Sequence, residues 1–239
     1  MITEAVILAA GKGTRLRASD DDLPKPLHRV GGVALIERTI RTLAEAGVRR
    51  VIVVTGFMAD TVEATLAQLA VPDVTVEPVR NADFEKANGI SVLVGGALAT
   101  GPFVLSMADH LYTPAIARLV GTQDMAAADL YLATDPRIHD VLDIDDATNV
   151  VTDAGRIVDI GKTLATYDRI DCGVFCVTRG LLTELAALRA ARGDCSLSDG
   201  VRQLARAGRA RVCDIGDGFW QDVDTPADRA LAEQRLKGE

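Results

Sequence analysis

The sequence predicts an α/β fold in which a wound, mainly parallel sheet carries an antiparallel hairpin inserted in its second half. Three observations lead there. Short, continuous apolar runs end in glycine, as buried parallel strands do. Apolar residues between those runs recur at helical spacing. Beyond about residue 140 the alternation gives way to a polar turn flanked by two short strand-like segments.

Ala5 to Ala10 is the first apolar run and ends in Gly11; Val51 to Thr55 is the second and ends in Gly56. Between them Leu35, Ile36, Ile40, Leu43 and Ala46 lie on one helical face, and Gly47 stops the helix, which completes a βαβ unit. The pattern continues with a helix near Thr61 to Leu69, a strand near Val74 to Val79, a helix near Ile90 to Leu98 and a strand from Phe103 to Met107. The inserted hairpin follows: Val141 to Ile144 and Asn149 to Val151 read as strand-like, and Thr152-Asp-Ala-Gly155 turns the chain into Arg156 to Ile160. Helical patterns return at Leu181 to Ala191 and Leu197 to Ala207, then a strand at Ala210 to Ile215 and a closing helix at Pro226 to Leu236. With no repeat and no linker, residues 1–239 read as one domain.

Apolar residues make up 48% of the 239 positions and charged residues 25%, enough for a substantial core. A net charge of −8 argues against a general nucleic-acid or anionic-membrane surface, so any phosphate site has to be built locally. The Ala5 to Ala10 run is too short to span a membrane and lacks signal-peptide flanks, which leads us to expect a cytoplasmic protein. Cys172, Cys176, Cys195 and Cys213 form no C-x-x-C pair, and His28, His110 and His139 are scattered, so neither a disulfide framework nor a zinc site is expected.

The chemistry concentrates in Leu8-Ala-Ala-Gly-Lys-Gly-Thr-Arg-Leu16 followed by Pro24-Lys-Pro-Leu27. Glycines where a buried strand opens into a loop let backbone N–H groups approach phosphate oxygens, and Arg15 and Lys25 add cations. A glycine-rich turn alone reads equally well as structure; the Pro-Lys-Pro-Leu that follows favours the phosphate cradle. The pattern is neither the Walker loop nor the Gly-x-Gly-x-x-Gly dinucleotide fingerprint. Asp109 ends the apolar run Phe103 to Met107, placing a carboxylate where open α/β sheets bind ligands. Mg²⁺ takes one or two carboxylates plus phosphate oxygens, so a second acid from Asp222 or Asp224, which would share one face of a strand, completes a metal site.

These segments resemble the sugar-nucleotidyltransferase superfamily and, within it, the inositol-1-phosphate cytidylyltransferases. The resemblance also rests on Lys86-Ala-Asn-Gly-Ile-Ser-Val-Leu93, Met107-Ala-Asp-His110, Asp145-Asp-Ala-Thr148, Gly161-Lys162, Asp171-Cys-Gly-Val-Phe175 and Trp220-Gln-Asp-Val-Asp-Thr225. It implies a Rossmann-like nucleotidyltransferase fold and transfer of CMP from CTP to inositol 1-phosphate, with Mg²⁺ as cofactor and pyrophosphate as the second product. It implies that Lys25 and a loop containing Leu8, Ala10, Gly11, Gly13 and Thr14 hold the nucleotide phosphates, with Arg15 facing the departing pyrophosphate. Asp109 and Asp224 carry the metal in this scheme, and Asn88, Gly89 and Ser91 surround the nucleoside. Lys162 is assigned to the acceptor phosphate, and Asp171 and Asp145 to acceptor hydroxyls.

Read without the resemblance, Lys162 is an ordinary solvated lysine, Asp171 either binds hydroxyls or stabilises the turn before Gly173, and Asp143, Asp145 and Asp146 are an acidic face. His110 and Trp220 read as local packing residues with a second possibility of touching the acceptor. Phosphocholine, a phosphonate such as 2-hydroxyethylphosphonate, and a sugar 1-phosphate are alternative acceptors. A choline headgroup calls for an aromatic cage, and aromatics are only 4% of the chain, so a polyol matches better. A catalytically silent nucleotide-binding subunit is the non-enzyme alternative, and a homo-oligomer is left open.

Overall fold

The computed structural model describes residues 1–13, 16, 23–140, 144 and 146–237. In chain order the first half gives β1 (Glu4–Leu8), a small hairpin of β2 (Arg29–Val30) and β3 (Val33–Ala34), α1 (Leu35–Glu45), β4 (Arg50–Thr55), α2 (Ala59–Gln68), β5 (Thr75–Arg80), α3 (Gly89–Gly96) and β6 (Phe103–Met107). The second half adds β7 (His110–Tyr112), α4 (Pro114–Gly121), β8 (Leu130–Asp135), β9 (Asn149–Asp153), β10 (Arg156–Gly161), β11 (Arg169–Val177), α5 (Arg179–Arg192), α6 (Leu197–Arg206), β12 (Ala210–Asp214), β13 (Trp220–Asp222) and α7 (Pro226–Lys237).

The main sheet runs β5-β4-β1-β6-β11-β8-β12-β10-β9. The wing β5-β4-β1-β6 is parallel throughout, as its apolar runs predict. The other wing is mixed: β11 lies antiparallel between β6 and β8, β8 and β12 are parallel, and the β9–β10 hairpin closes the edge. β9 also pairs with β11, so β11, β8, β12, β10 and β9 join in a ring. The expected hairpin is therefore present but is built from β9 and β10; of the Val141 to Ile144 segment only Ile144 is described, and it lies in a turn.

Periodicity signals neither β8 nor β11. Leu130–Asp135 is buried at every position, so it shows no alternation, and Arg169–Val177 contains Asp171 and Gly173 inside a strand. Gly173 adopts φ +72°, and the pairing with β8 slips between Asp171 and Phe175, a bulge that bends the strand.

Two apolar layers sandwich the sheet. One, under α1, α2 and α4, is filled by residues such as Ile7, Ile36, Ile40, Val53, Val62 and Ile116; the other, under α3, α5 and α6, by Val6, Ile52, Phe103, Phe175, Leu181 and Leu204. A third, smaller cluster of Leu16, Val30, Leu35, Leu111, Val223 and Ala232 ties α7 and the segment after β13 to the loop side of the sheet. It brings the end of the chain beside the end of β6, where the N–H of Val223 donates to the carbonyl of Asp109 at 2.9 Å.

Candidate active site

A cavity of about 480 Å³ opens at the carboxyl ends of β1 and β6. The connections leave β1 toward β4 on one side and reach β6 on the other, so this is the point where strand order reverses and open α/β sheets bind ligands. Leu8, Ala9, Ala10, Gly11 and Gly13 form one wall, Phe84, Lys86, Asn88 and Ser91 a second, and Asp109, His110, Asp171, Gly173, Trp220, Asp222 and Asp224 a third.

At its centre Lys25 joins both ends of the sequence. Nζ donates to Asp109 Oδ2 at 2.5 Å and forms a second ion pair with Asp224. Gly13 makes room for this lysine: it holds φ +56°, and a Cβ there would lie 2.4 Å from Cβ of Lys25. Lys25 lines the cavity yet is only 8% exposed, enclosed by its two carboxylate partners. Burial pulls its pKa down, but Asp109 and Asp224 more than offset this and raise it. Burial likewise pushes Asp109 up, while Lys25 and then His110 hold it well below the usual carboxylate range. The donor set is thus two hard carboxylates already meeting on one cation.

The third wall is built around His110. Its Nδ1 lies 2.8 Å from Asp109 Oδ1, and its ring stacks on Trp220 with centroids 6.1 Å apart and planes at 11°. A Cβ at residue 173 would fall 2.6 Å from the imidazole, so the bulge glycine of β11 is what lets the ring lie flat against that strand. Trp220 is fixed in turn by Nε1 donating to Asp135 Oδ2 at 2.8 Å. Asp171 accepts from the Gly173 N–H at 2.7 Å, yet its burial pushes its pKa up to about 6. Burial raises Asp222 as well, against the opposing pull of His110. Lys162 is exposed and paired with Asp146 at 2.7 Å on the rim.

Residues 5–209 match the family of the MobA-like NTP transferase domain. The chain belongs to this family. It is 38% identical over 239 residues to the "Bifunctional IPC transferase and DIPP synthase" of Rubrobacter xylanophilus, covering 98% of this chain and 52% of that protein. The "CMP-5'-(3-aminopropyl)phosphonate synthase" of Streptomyces rubellomurinus is 31% identical over 249 residues, covering 97% of this chain and 38% of the relative. Among solved structures, the inositol-1-phosphate CTP transferase of T. maritima superposes with a TM-score of 0.85 at 28% identity, covering 99% of this chain and 97% of the other. The chain spans about half the length of the curated bifunctional relatives it matches. The protein is accordingly a nucleotidyltransferase of the MobA-like class with the Rossmann-like mixed sheet of its structural neighbours.

Of the residues singled out in the sequence, this nucleotidyltransferase brings Leu8, Ala10, Gly11, Gly13, Lys25, Asn88, Ser91, Asp109, Lys162, Asp171 and Asp224 onto one cavity. Gly89 is different. It lies behind the wall at the start of α3, where a Cβ would meet the Cys195 carbonyl oxygen at 2.5 Å, so its small size serves helix packing. Thr14, Arg15, Asp143 and Asp145 lie outside the described residues. Asp222 and Asp224 do not share a strand face, because β13 ends at Asp222; both nonetheless line the cavity. His110 and Trp220, read first as packing residues, are walls of the site; Thr148, quoted only within a resembling segment, lines it too, and Phe84 and Ser198 went unsignalled. Only the Asn-Gly-x-Ser spacing hinted that residues near Phe84 belong here.

Proposed function

We propose that this chain transfers CMP from CTP to a small phosphorylated alcohol, inositol 1-phosphate in the first instance, releasing pyrophosphate. The observation that carries the reading is the meeting of Lys25, Asp109 and Asp224 between a glycine-rich wall and an acidic one. The first wall suits a nucleotide, the second a polyol. An acceptor phosphate oxygen forms the new bond to the α-phosphorus of CTP as the bond to pyrophosphate breaks. That oxygen is already ionised at neutral pH, so the protein supplies placement and charge neutralisation more than proton transfer.

The site fits a divalent cation, since two carboxylates converge on the single ammonium of Lys25, and Mg²⁺ favours one or two such ligands with phosphate oxygens completing its shell. Among the described residues no group of three or more His, Cys, Asp or Glu is placed to cage a metal, in keeping with a site finished by substrate. Asp109 and Asp224 would hold Mg²⁺, which when bound neutralises charge on the phosphates. Lys25 keeps the two carboxylates together and follows the phosphates, Arg15 faces pyrophosphate, and Lys162 leaves Asp146 for the acceptor phosphate. With CTP as donor, the reaction belongs in the cytoplasm.

A second reading, favoured by Asp171 and Asp222 on the acceptor wall, is an acceptor whose cationic amine replaces the polyol hydroxyls, as in an aminoalkylphosphonate. Pyrophosphate release is to be measured with CTP, UTP, ATP and GTP against inositol 1-phosphate, glucose 1-phosphate, phosphocholine, 2-hydroxyethylphosphonate and 3-aminopropylphosphonate. Turnover is expected with CTP and inositol 1-phosphate. Equal or faster turnover with a purine triphosphate, or silence with every acceptor, refutes the reading.

A further inference from the structure

Asn81 follows β5 and is 3% exposed, behind the cavity wall. Its Oδ1 accepts from the backbone N–H of Asp83 at 2.9 Å, which fixes the amide so that Nδ2 donates to Ser91 Oγ at 2.9 Å. Ser91 is itself 5% exposed and lines the cavity. A hydroxyl has one proton to give and lone pairs to fill. With Asn81 occupying a lone pair, and no acceptor for the proton among the described residues, the donor is the part of Ser91 left for a ligand. Asn88, one helical turn earlier, reaches the same polarity by another route. Its Oδ1 accepts from the Leu197 N–H at 2.8 Å, at the start of α6, leaving its NH₂ group to the cavity.

We propose that Asn81 is a positioning residue for base selection: by turning Ser91 into a donor beside the Asn88 donor, it makes this wall take a base edge with two neighbouring acceptors. O2 and N3 of cytosine form such an edge, whereas uracil presents N3–H, which meets a donor and leaves both unpaired. The inference rests on the reading that the nucleoside lies along Asn88 and Ser91.

Asn81→Asp is the informative variant. The new carboxylate still accepts from Asp83 N–H but also accepts the Ser91 proton, so Ser91 turns its lone pairs to the cavity. The ratio of kcat/KM for CTP over UTP is expected to fall by about 10-fold, the scale of one misdirected hydrogen bond, with acceptor KM unchanged. Ser91→Ala should give a similar fall, and the Asn81→Asp/Ser91→Ala pair no more than Ser91→Ala alone, because one residue acts through the other. If Asn81→Asp fails to fold, Asn81→Ala replaces it with the same non-additivity expected. Equal losses with CTP and UTP overturn the proposal, as does an Asn81 variant that keeps the wild-type ratio while Ser91→Ala loses it; the nucleoside placement then stands. Wild-type kinetics in both Asn88→Ala and Ser91→Ala instead move the nucleoside off this wall, and the underlying placement falls.

Discussion

The two sides of the cavity are built by different means. The side proposed for the nucleotide is made mostly of backbone and neutral groups, Ala10, Gly11, Gly13, Asn88 and Ser91, with Lys86 beside them, set on the parallel wing of the sheet. The side proposed for the acceptor is charged and aromatic, with His110, Trp220 and Asp222 on the β7–β13 pair and Asp171 on the bulged strand β11. A nucleoside triphosphate brings its own charge and needs close backbone approach, so small residues serve it. An acceptor with several hydroxyls needs directed polar side chains, and aiming those takes tertiary contacts. Lys25, Asp109 and Asp224 sit on the seam, which makes them common to both halves.

The largest effect should come from breaking that seam. Lys25→Ala is expected to lower turnover by about 10²-fold or more with either substrate saturating. It should also lower the unfolding temperature, since Asp109 and Asp224 lose the cation between them, with partial recovery in added Mg²⁺. Thermal unfolding with and without Mg²⁺ checks this; a variant as stable and as active as wild type removes Lys25 from the mechanism.

Next in size are the carboxylates. Asp109→Asn and Asp224→Asn should each slow pyrophosphate release and raise the Mg²⁺ concentration required, with partial rescue by Mn²⁺. The double variant should lose little beyond the worse single one, because both act on one ion. Unchanged metal dependence in Asp109→Asn would falsify the shared site. A normal Asp224→Asn beside a defective Asp222→Asn moves the second ligand to Asp222.

Gly173→Ala sharpens the contrast between the walls. An alanine there is strained at φ +72° and drives its Cβ against His110. The kcat/KM for the acceptor should fall by about 10-fold while KM for CTP stays near wild type. Parallel losses for both substrates would show that the walls are not separable.

The smallest effect is on stability against pH. Burial raises the Asp171 pKa from 3.8 to about 6 in the fold, so the unfolded chain ionises first as pH rises. The stability associated with the protonated group is full below about pH 3.8, declines through the interval up to about pH 6, and levels off above it. Asp171→Asn should remove that decline, measured as the difference in unfolding temperature between variant and wild type from pH 4 to pH 7. A difference that does not change across this interval means Asp171 does not titrate there.

The sequence by itself determined the parallel wing and the glycine-rich wall of the cavity. Ala5 to Ile7 and Val51 to Thr55 are buried on both faces, α1 between them is strongly periodic, and the glycine loop is contiguous, so local patterning carries the information. It also marked Lys25, Asp109 and Asp224 through motifs near the start, the middle and the end of the sequence. Only the tertiary structure decided that one ammonium joins both carboxylates, that Gly89 packs against Cys195 rather than facing a ligand, and that β13 ends before Asp224. The same holds for the wall around His110, where β11 pairs with β6, β8 and β9 across long stretches of chain and its bulge glycine leaves room for His110 stacked on Trp220. Such contacts depend on register between distant strands, which hydrophobic spacing within a single segment does not encode.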